Sequence, residues 1–129
     1  MAAASDYLEN KLLDHSLGTA AFTSPGTVYV GLHTASPLDD DSGANEVTGG
    51  GYLRKAAAFA AAAAGSASTN ATITFDAATA NWGTITHISL YDAAATGNLL
   101  FHGAVTTSKT IETGDTFQIS SGNLTISLD

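Results

Sequence analysis

The chain has 129 residues, no cysteine, and 4 basic against 12 acidic side chains, for a formal charge of −8. A chain of this length holds one domain, residues 1–129, and the lack of cysteine excludes disulfides, thiolate metal sites and cysteine nucleophiles. The sparse basic residues, of which only Arg54 and Lys55 are adjacent, argue against nucleic-acid binding and against an anionic membrane surface.

Charged residues make up 12% of the chain, about half the usual share. Polar surface must therefore come from Thr, Ser, Asn and Gly. The N-terminus, Met1-Ala2-Ala3-Ala4-Ser5-Asp6, has no basic stretch leading into an apolar one, so no signal peptide is expected. The run from Ala56 to Ala64 is too short and too weakly apolar to span a bilayer.

In chain order, residues 6–17 read as a short helix. Asp6 is the expected N-cap with Glu9 completing a capping box, and Gly18 is the expected stop. Leu8 with Leu12, and Leu13 with Leu17, recur at helical spacing. Two roles fit: the helix covers an open edge of a sheet, or Tyr7, Leu8 and Leu12 form an exposed anchor for another subunit.

From Thr27 the period changes to two. Val28, Val30 and Leu32 alternate with Tyr29, Gly31 and His33, which predicts a strand. Residues 35–51, with Pro37, Asp39-Asp40-Asp41 and Gly49-Gly50-Gly51, predict a long exposed loop and the first candidate for a contact surface. Residues 52–60 are expected as a strand and 61–70 as a loop, because an alanine-rich helix without a cap would have little grip on a core.

The second half alternates more regularly. Strands are expected over 71–76, 85–91, 99–106, 116–120 and 124–128, separated by turns at 95–98, 112–115 and 121–123. In the 85–91 strand, Ile88 and Leu90 should face one way and Ile85, His87 and Tyr91 the other. The fold class that follows is all-β: an antiparallel β-sandwich or small barrel of about seven strands, with one short N-terminal helix.

The residues that carry chemistry do not assemble into a known motif. His15, His33, His87 and His102 have no ligand-pair spacing and read as satisfied structural or surface histidines. Asp39, Asp40, Asp41 and Glu46 do not match a twelve-residue calcium loop and read as a solvated acidic loop. No Gly-x-Ser-x-Gly elbow occurs, and Gly49-Gly50-Gly51 lacks the lysine of a phosphate loop. Asp76 and Asp92 end separate strands, with nothing to place them across a cleft as a glycosidase pair. The sequons at Asn70 and Asn123 mean little without a secretory signal. No catalytic, cofactor-binding or metal-binding residue is assigned, no cofactor is expected, and the chain is expected not to be an enzyme.

Five blocks together carry a resemblance. They are Tyr7-Leu8-Glu9-Asn10-Lys11-Leu12-Leu13-Asp14-His15, the run from Val28 to Pro37, Gly43-Ala44-Asn45-Glu46-Val47-Thr48-Gly49-Gly50, Asn81-Trp82-Gly83-Thr84-Ile85-Thr86-His87, and Gly97-Asn98-Leu99-Leu100-Phe101-His102-Gly103. Over nearly its whole length the chain resembles a family of short tailed-bacteriophage virion structural proteins, commonly labelled tail fibre or minor tail proteins. The resemblance implies a structural role in the virion, with other virion subunits, whether the major capsid protein or tail proteins, as the expected partners; the lack of a signal peptide or membrane span fits synthesis in the host cytoplasm.

A compact acidic chain without repeats suits a head decoration (cement) protein, with a tail or tail-fibre component as the alternative. A reading of another class is a carbohydrate-binding module for host attachment, with Trp82, Tyr29, Tyr52 and Tyr91 as its candidate aromatics. The thin set of large apolar residues suggests a homo-oligomer, dimer or trimer, in which neighbours supply burial that one copy lacks.

Overall fold

A computed structural model describes residues 2–43 and 45–128. The chain runs β1 (Ala3–Ala4), α1 (Asp6–Ser16), β2 (Val28–His33), β3 (Lys55–Ala57), β4 (Ser66–Ser68), β5 (Ile73–Thr74), β6 (Gly83–Tyr91), β7 (Leu99–Ile111), β8 (Gln118–Ile119) and β9 (Thr125–Ser127). Five strands form one antiparallel sheet in the order β1-β7-β6-β2-β3, and β4-β9 and β5-β8 form two short antiparallel pairs. The fold is all-β and sandwich-like, and no sheet closes into a barrel. Nine strands are present among the described residues, more than the seven expected, because several are only two or three residues long.

The core lies between the large sheet and the short pairs. From the sheet come Val30, Leu32, Ile85, Leu90, Leu100 and Ile111; from the other side come Ile73, Phe75, Phe117 and Leu124. Phe75 is central. Its ring meets Phe117 edge-on at 5.7 Å and stacks on Tyr52 at 6.2 Å, while Tyr52 meets Trp82 edge-on at 5.5 Å. Such aromatic pairs bury large areas and add geometric preference, which a core built mostly of small residues otherwise lacks.

The helix is present, but its cap is shifted by one residue. Ser5, not Asp6, is the N-cap: its hydroxyl accepts from the Leu8 amide at 3.2 Å and donates to the Leu99 carbonyl. The capping box with Glu9 therefore does not form. Ser5 wins because its hydroxyl can satisfy two backbone groups at once, one in the helix and one in the sheet. At the far end Leu17 is the C-cap, and Gly18 takes the left-handed conformation at φ +80°. Leu8 is buried in the core with Leu12 half-buried beside it, so the helix covers the sheet and the exposed-anchor reading of Tyr7, Leu8 and Leu12 is overturned.

Three further expectations change. Residues 61–70 are not all loop: β4 lies within them, reached by a tight turn in which Ala63 bridges Ser66. Ile85 is not on the side of His87; it is fully buried with Leu90, because the pairing of β6 with β7 slips between Ile85 and His87 and breaks the alternation. The segment 35–51 is a loop but not a freely exposed one. Pro37 and Val47 are buried, and Asn45 to Val47 extends the outer edge of β2 through Thr34 N–H to Asn45 O, Val47 N–H to Leu32 O, and a bridge from Glu46 to His33.

Candidate functional site

The strand pairing decides which polar side chains meet. Residues opposite each other in an antiparallel ladder share a face. Gly31 therefore stands beside Ser89 and Tyr29 beside Tyr91, with His33 between His87 and Glu46, all on the face turned away from the aromatic core. Gly31 makes room for the cluster: a Cβ there would lie 2.6 Å from Ser89 Oγ and 3.0 Å from Glu46 Oε2.

Arg54 is the centre of this group. Its Nε and Nη2 donate to the two Glu46 oxygens, each at 2.8 Å, and its Nη1 donates to the carbonyls of Ala93 at 2.9 Å and Thr96 at 2.8 Å. The guanidinium lies 3.6 Å from the centre of the Tyr91 ring, and the Arg54 side chain is only 7% exposed. This forked, stacked arrangement uses the planar geometry of arginine and could not be reproduced by lysine. Burial disfavours both charges, but each outweighs it for the other. Glu46 is held below the usual carboxylate range by hydrogen bonds from Arg54 and Tyr52, and Arg54 is raised by Glu46.

Two tyrosines complete the ties. The Tyr52 hydroxyl donates to Glu46 at 2.6 Å and accepts from the Leu32 amide at 2.9 Å, reaching from the core across the edge of β2. The Tyr91 hydroxyl donates to Asp41 at 2.8 Å. Both hydroxyls are pushed upward, first by burial and then by the neighbouring carboxylates. They remain neutral donors at any ordinary pH.

His33 is 1% exposed, with Nε2 at 2.7 Å from Ser89 Oγ and its ring stacked on Tyr91. Its Nδ1 has no partner among the described residues, so this histidine is only half satisfied. Burial pushes its pKa down to about 4, against the opposing pull of Glu46 and Asp41. The Ser89–His33 contact has the form of a nucleophile beside a base. Ser89 is also 1% exposed, however, and Glu46 is held by Arg54, so a substrate atom has no approach to the serine.

The acidic loop is not simply solvated. Asp39 contacts His102 at 2.6 Å, Asp40 accepts from the Ser42 amide at 3.0 Å, Asp41 takes Tyr91, and Glu46 takes Arg54 and Tyr52. Each carboxylate is engaged by a donor of the chain itself. His15 accepts from the Phe22 amide, His87 meets Thr86, Asp76 meets Lys55 at 3.0 Å, and Asp92 accepts from Asn98. The carbohydrate platform of the alternative reading is not assembled: Trp82 and Tyr91 are buried, Tyr52 is stacked on Phe75, and Tyr29 is half-buried. Trp82 donates instead to the Gly50 carbonyl at 2.9 Å, and Gly50, at φ +60°, leaves no space for a Cβ beside the indole.

The largely apolar opening of the molecule lies elsewhere. A groove of about 300 Å³ runs where the large sheet and the short pairs part, lined by Val28, Phe59, Leu90, Leu100, Phe101 and Ile126, with no charged side chain among the described residues that line it. Sequence reasoning missed both features. The single arginine in a weakly charged chain was the available sign of the first; the second depends on a gap between layers that no local pattern records.

No helix among the described residues is long and apolar enough to cross a membrane. The model of a protein family described as Podophage GP4 fiber I protein gp80 matches residues 3–127. No curated protein matches the chain.

Proposed function

Because the chain belongs to the Podophage GP4 fiber I protein gp80 family of phage virion structural proteins, we propose that it is a non-enzymatic component of the phage fibre, working through contact with neighbouring virion subunits. The family match, which spans residues 3–127 of 129, carries this reading. The interior supports it. The polar cluster around Arg54 is spent on fixing the chain's own loops, and a rigid, tied-down surface suits a part that must keep its shape while bound.

Other virion proteins are the partners in this reading, with neither nucleic acid nor membrane involved. The charge of −8 supports that, as do the ties of Arg54 to Glu46 and Lys55 to Asp76, which leave no free basic pair. Synthesis in the host cytoplasm before assembly belongs to the same proposal.

Head decoration is the second reading, favoured by one observation: the chain forms a short sandwich with no repeat or rod to give a fibre its length. Cryo-electron microscopy of the parent virion distinguishes the two. Density for this chain in the fibres is expected; density confined to the capsid surface would replace the fibre reading with the decoration one.

A further inference from the structure

The outer edge of β2 is covered in two pieces. β3 pairs with it from Val28 to Val30, and beyond that Asn45–Val47 lies along it. Its backbone is joined to that edge by the Thr34 N–H to Asn45 O bond at 3.1 Å and the Val47 N–H to Leu32 O bond at 3.0 Å. Val47 adds one buried side chain, and Glu46 adds its ties to Arg54 and Tyr52. The stretch before this segment is held in a disfavoured form. Leu38 and Asp41 have φ of +67° and +61°, left-handed values that side chains other than glycine resist. A piece of chain with few backbone bonds opens at lower free energy than the core does.

His33 stands at the inner side of this segment, with Glu46 opposite it on one side and His87 on the other. The titratable and charged groups that face it come from every neighbouring element. Glu46 and Asp41 belong to the loop, Tyr52 and Arg54 follow it, His87 and Tyr91 lie on β6, and His102 on β7 pairs with Ser89. A protonated imidazole carries an N–H on both nitrogens. Nε2 has Ser89, but Nδ1 is buried with no partner among the described residues, so its proton would have no acceptor. Burial therefore outweighs the attraction of Glu46 and Asp41, and the closed form holds the ring down to about 4.

We propose that protonation of His33 unseats Asn45–Val47 from β2 as a local unit while the sandwich stays folded. Lifting the segment brings water to Nδ1, where the ring takes its proton near the ordinary value of about 6.5. It also bares Leu32 O and Thr34 N–H at the sheet edge. The open form binds a proton that the closed form refuses, so the fraction open rises as pH falls, by about twentyfold from pH 7 to pH 5. The device is independent of where in the virion the chain stands.

Native-state amide hydrogen exchange on the full chain, read by NMR at pH 7, 6 and 5 and corrected for the intrinsic rate at each pH, tests it. The probes are the Thr34 and Val47 amides, bonded across the segment, with the Phe75 amide, bonded to Phe117 O, as the reference for global unfolding. At every pH the two probes are expected to open at least about tenfold more often than Phe75. Their opening should also rise about twentyfold from pH 7 to pH 5. Two variants remove the titrating ring: His33→Gln keeps a polar partner for Ser89, and His33→Phe keeps the stack on Tyr91. Either should leave Thr34 and Val47 opening more often than Phe75 but flatten the rise with acid to less than about threefold. Probes that open no more often than Phe75, or a wild-type opening that does not change with pH, would overturn the local release. So would a rise that persists in both variants.

Discussion

Arg54 shows how much one side chain can hold in a protein with few charges. It joins the loop carrying Glu46 to the 92–97 turn through Ala93 and Thr96, and it stacks on Tyr91 in the sheet. Removing one partner of a buried pair strands the other charge, at a cost of about 3–5 kcal/mol. Urea unfolding of Arg54→Ala is expected to show a loss of that order. Arg54→Lys should restore less than half of it, since a point charge cannot make the fork, the two carbonyl contacts and the stacking together. Sequence reading found the charges but not this arrangement. Glu46, Tyr52 and Arg54 are close in the chain, yet what unites them is the space above Gly31 and the arrival of Tyr91 from another strand.

For single elements, local chemistry explains most of the outcome, and its failures have definite causes. The helix, the β2 strand and the Gly- and Asn-rich turns were legible because each depends on neighbours in sequence. The cap was misplaced because Ser5 and Asp6 are both good caps, and the choice falls to Leu99, more than ninety residues away. Ser5→Ala is therefore expected to cost about 1–3 kcal/mol, leaving a helix amide uncapped and a buried carbonyl unpaired. Asp6→Ala should cost only a few tenths, through the helix dipole. Thermal melts of the two variants compare them directly; equal losses would return the cap to Asp6. Ile85 was assigned to the wrong side because strict alternation assumes an unbroken ladder, and the slip before His87 breaks it.

At the scale of the whole molecule, burial of His33 makes folding sensitive to mild acid. An unfolded histidine titrates near 6.5, whereas the folded one is pushed down to about 4. Between those values the unfolded chain binds a proton that the folded chain refuses, so stability falls as pH drops from about 6.5 towards 4 and levels off below. Glu46 acts at lower pH still: its folded pKa is depressed, so its contribution is lost as pH falls through that depressed range. Urea unfolding at pH 7 and pH 5 should differ by about 1–2 kcal/mol, less at pH 5. His33→Gln should remove most of that difference; a slope unchanged in the variant would assign the acid sensitivity to other groups.

The slipped pairing between β6 and β7 also bears on solubility. On its outer side β7 is covered by Ala3 and Ala4 at His102 and Phe101, leaving residues 104–110 largely open to solvent. A straight, bare border of this length would be a template for uncontrolled stacking of one molecule onto the next. Between Ala104 and Lys109 the strand carries more residues than the partner segment from Ile85 to His87 can match, so it cannot lie flat, and Lys109 places a charge at its end. The same irregularity that defeats a simple reading of the strand keeps crowded copies from fusing along it.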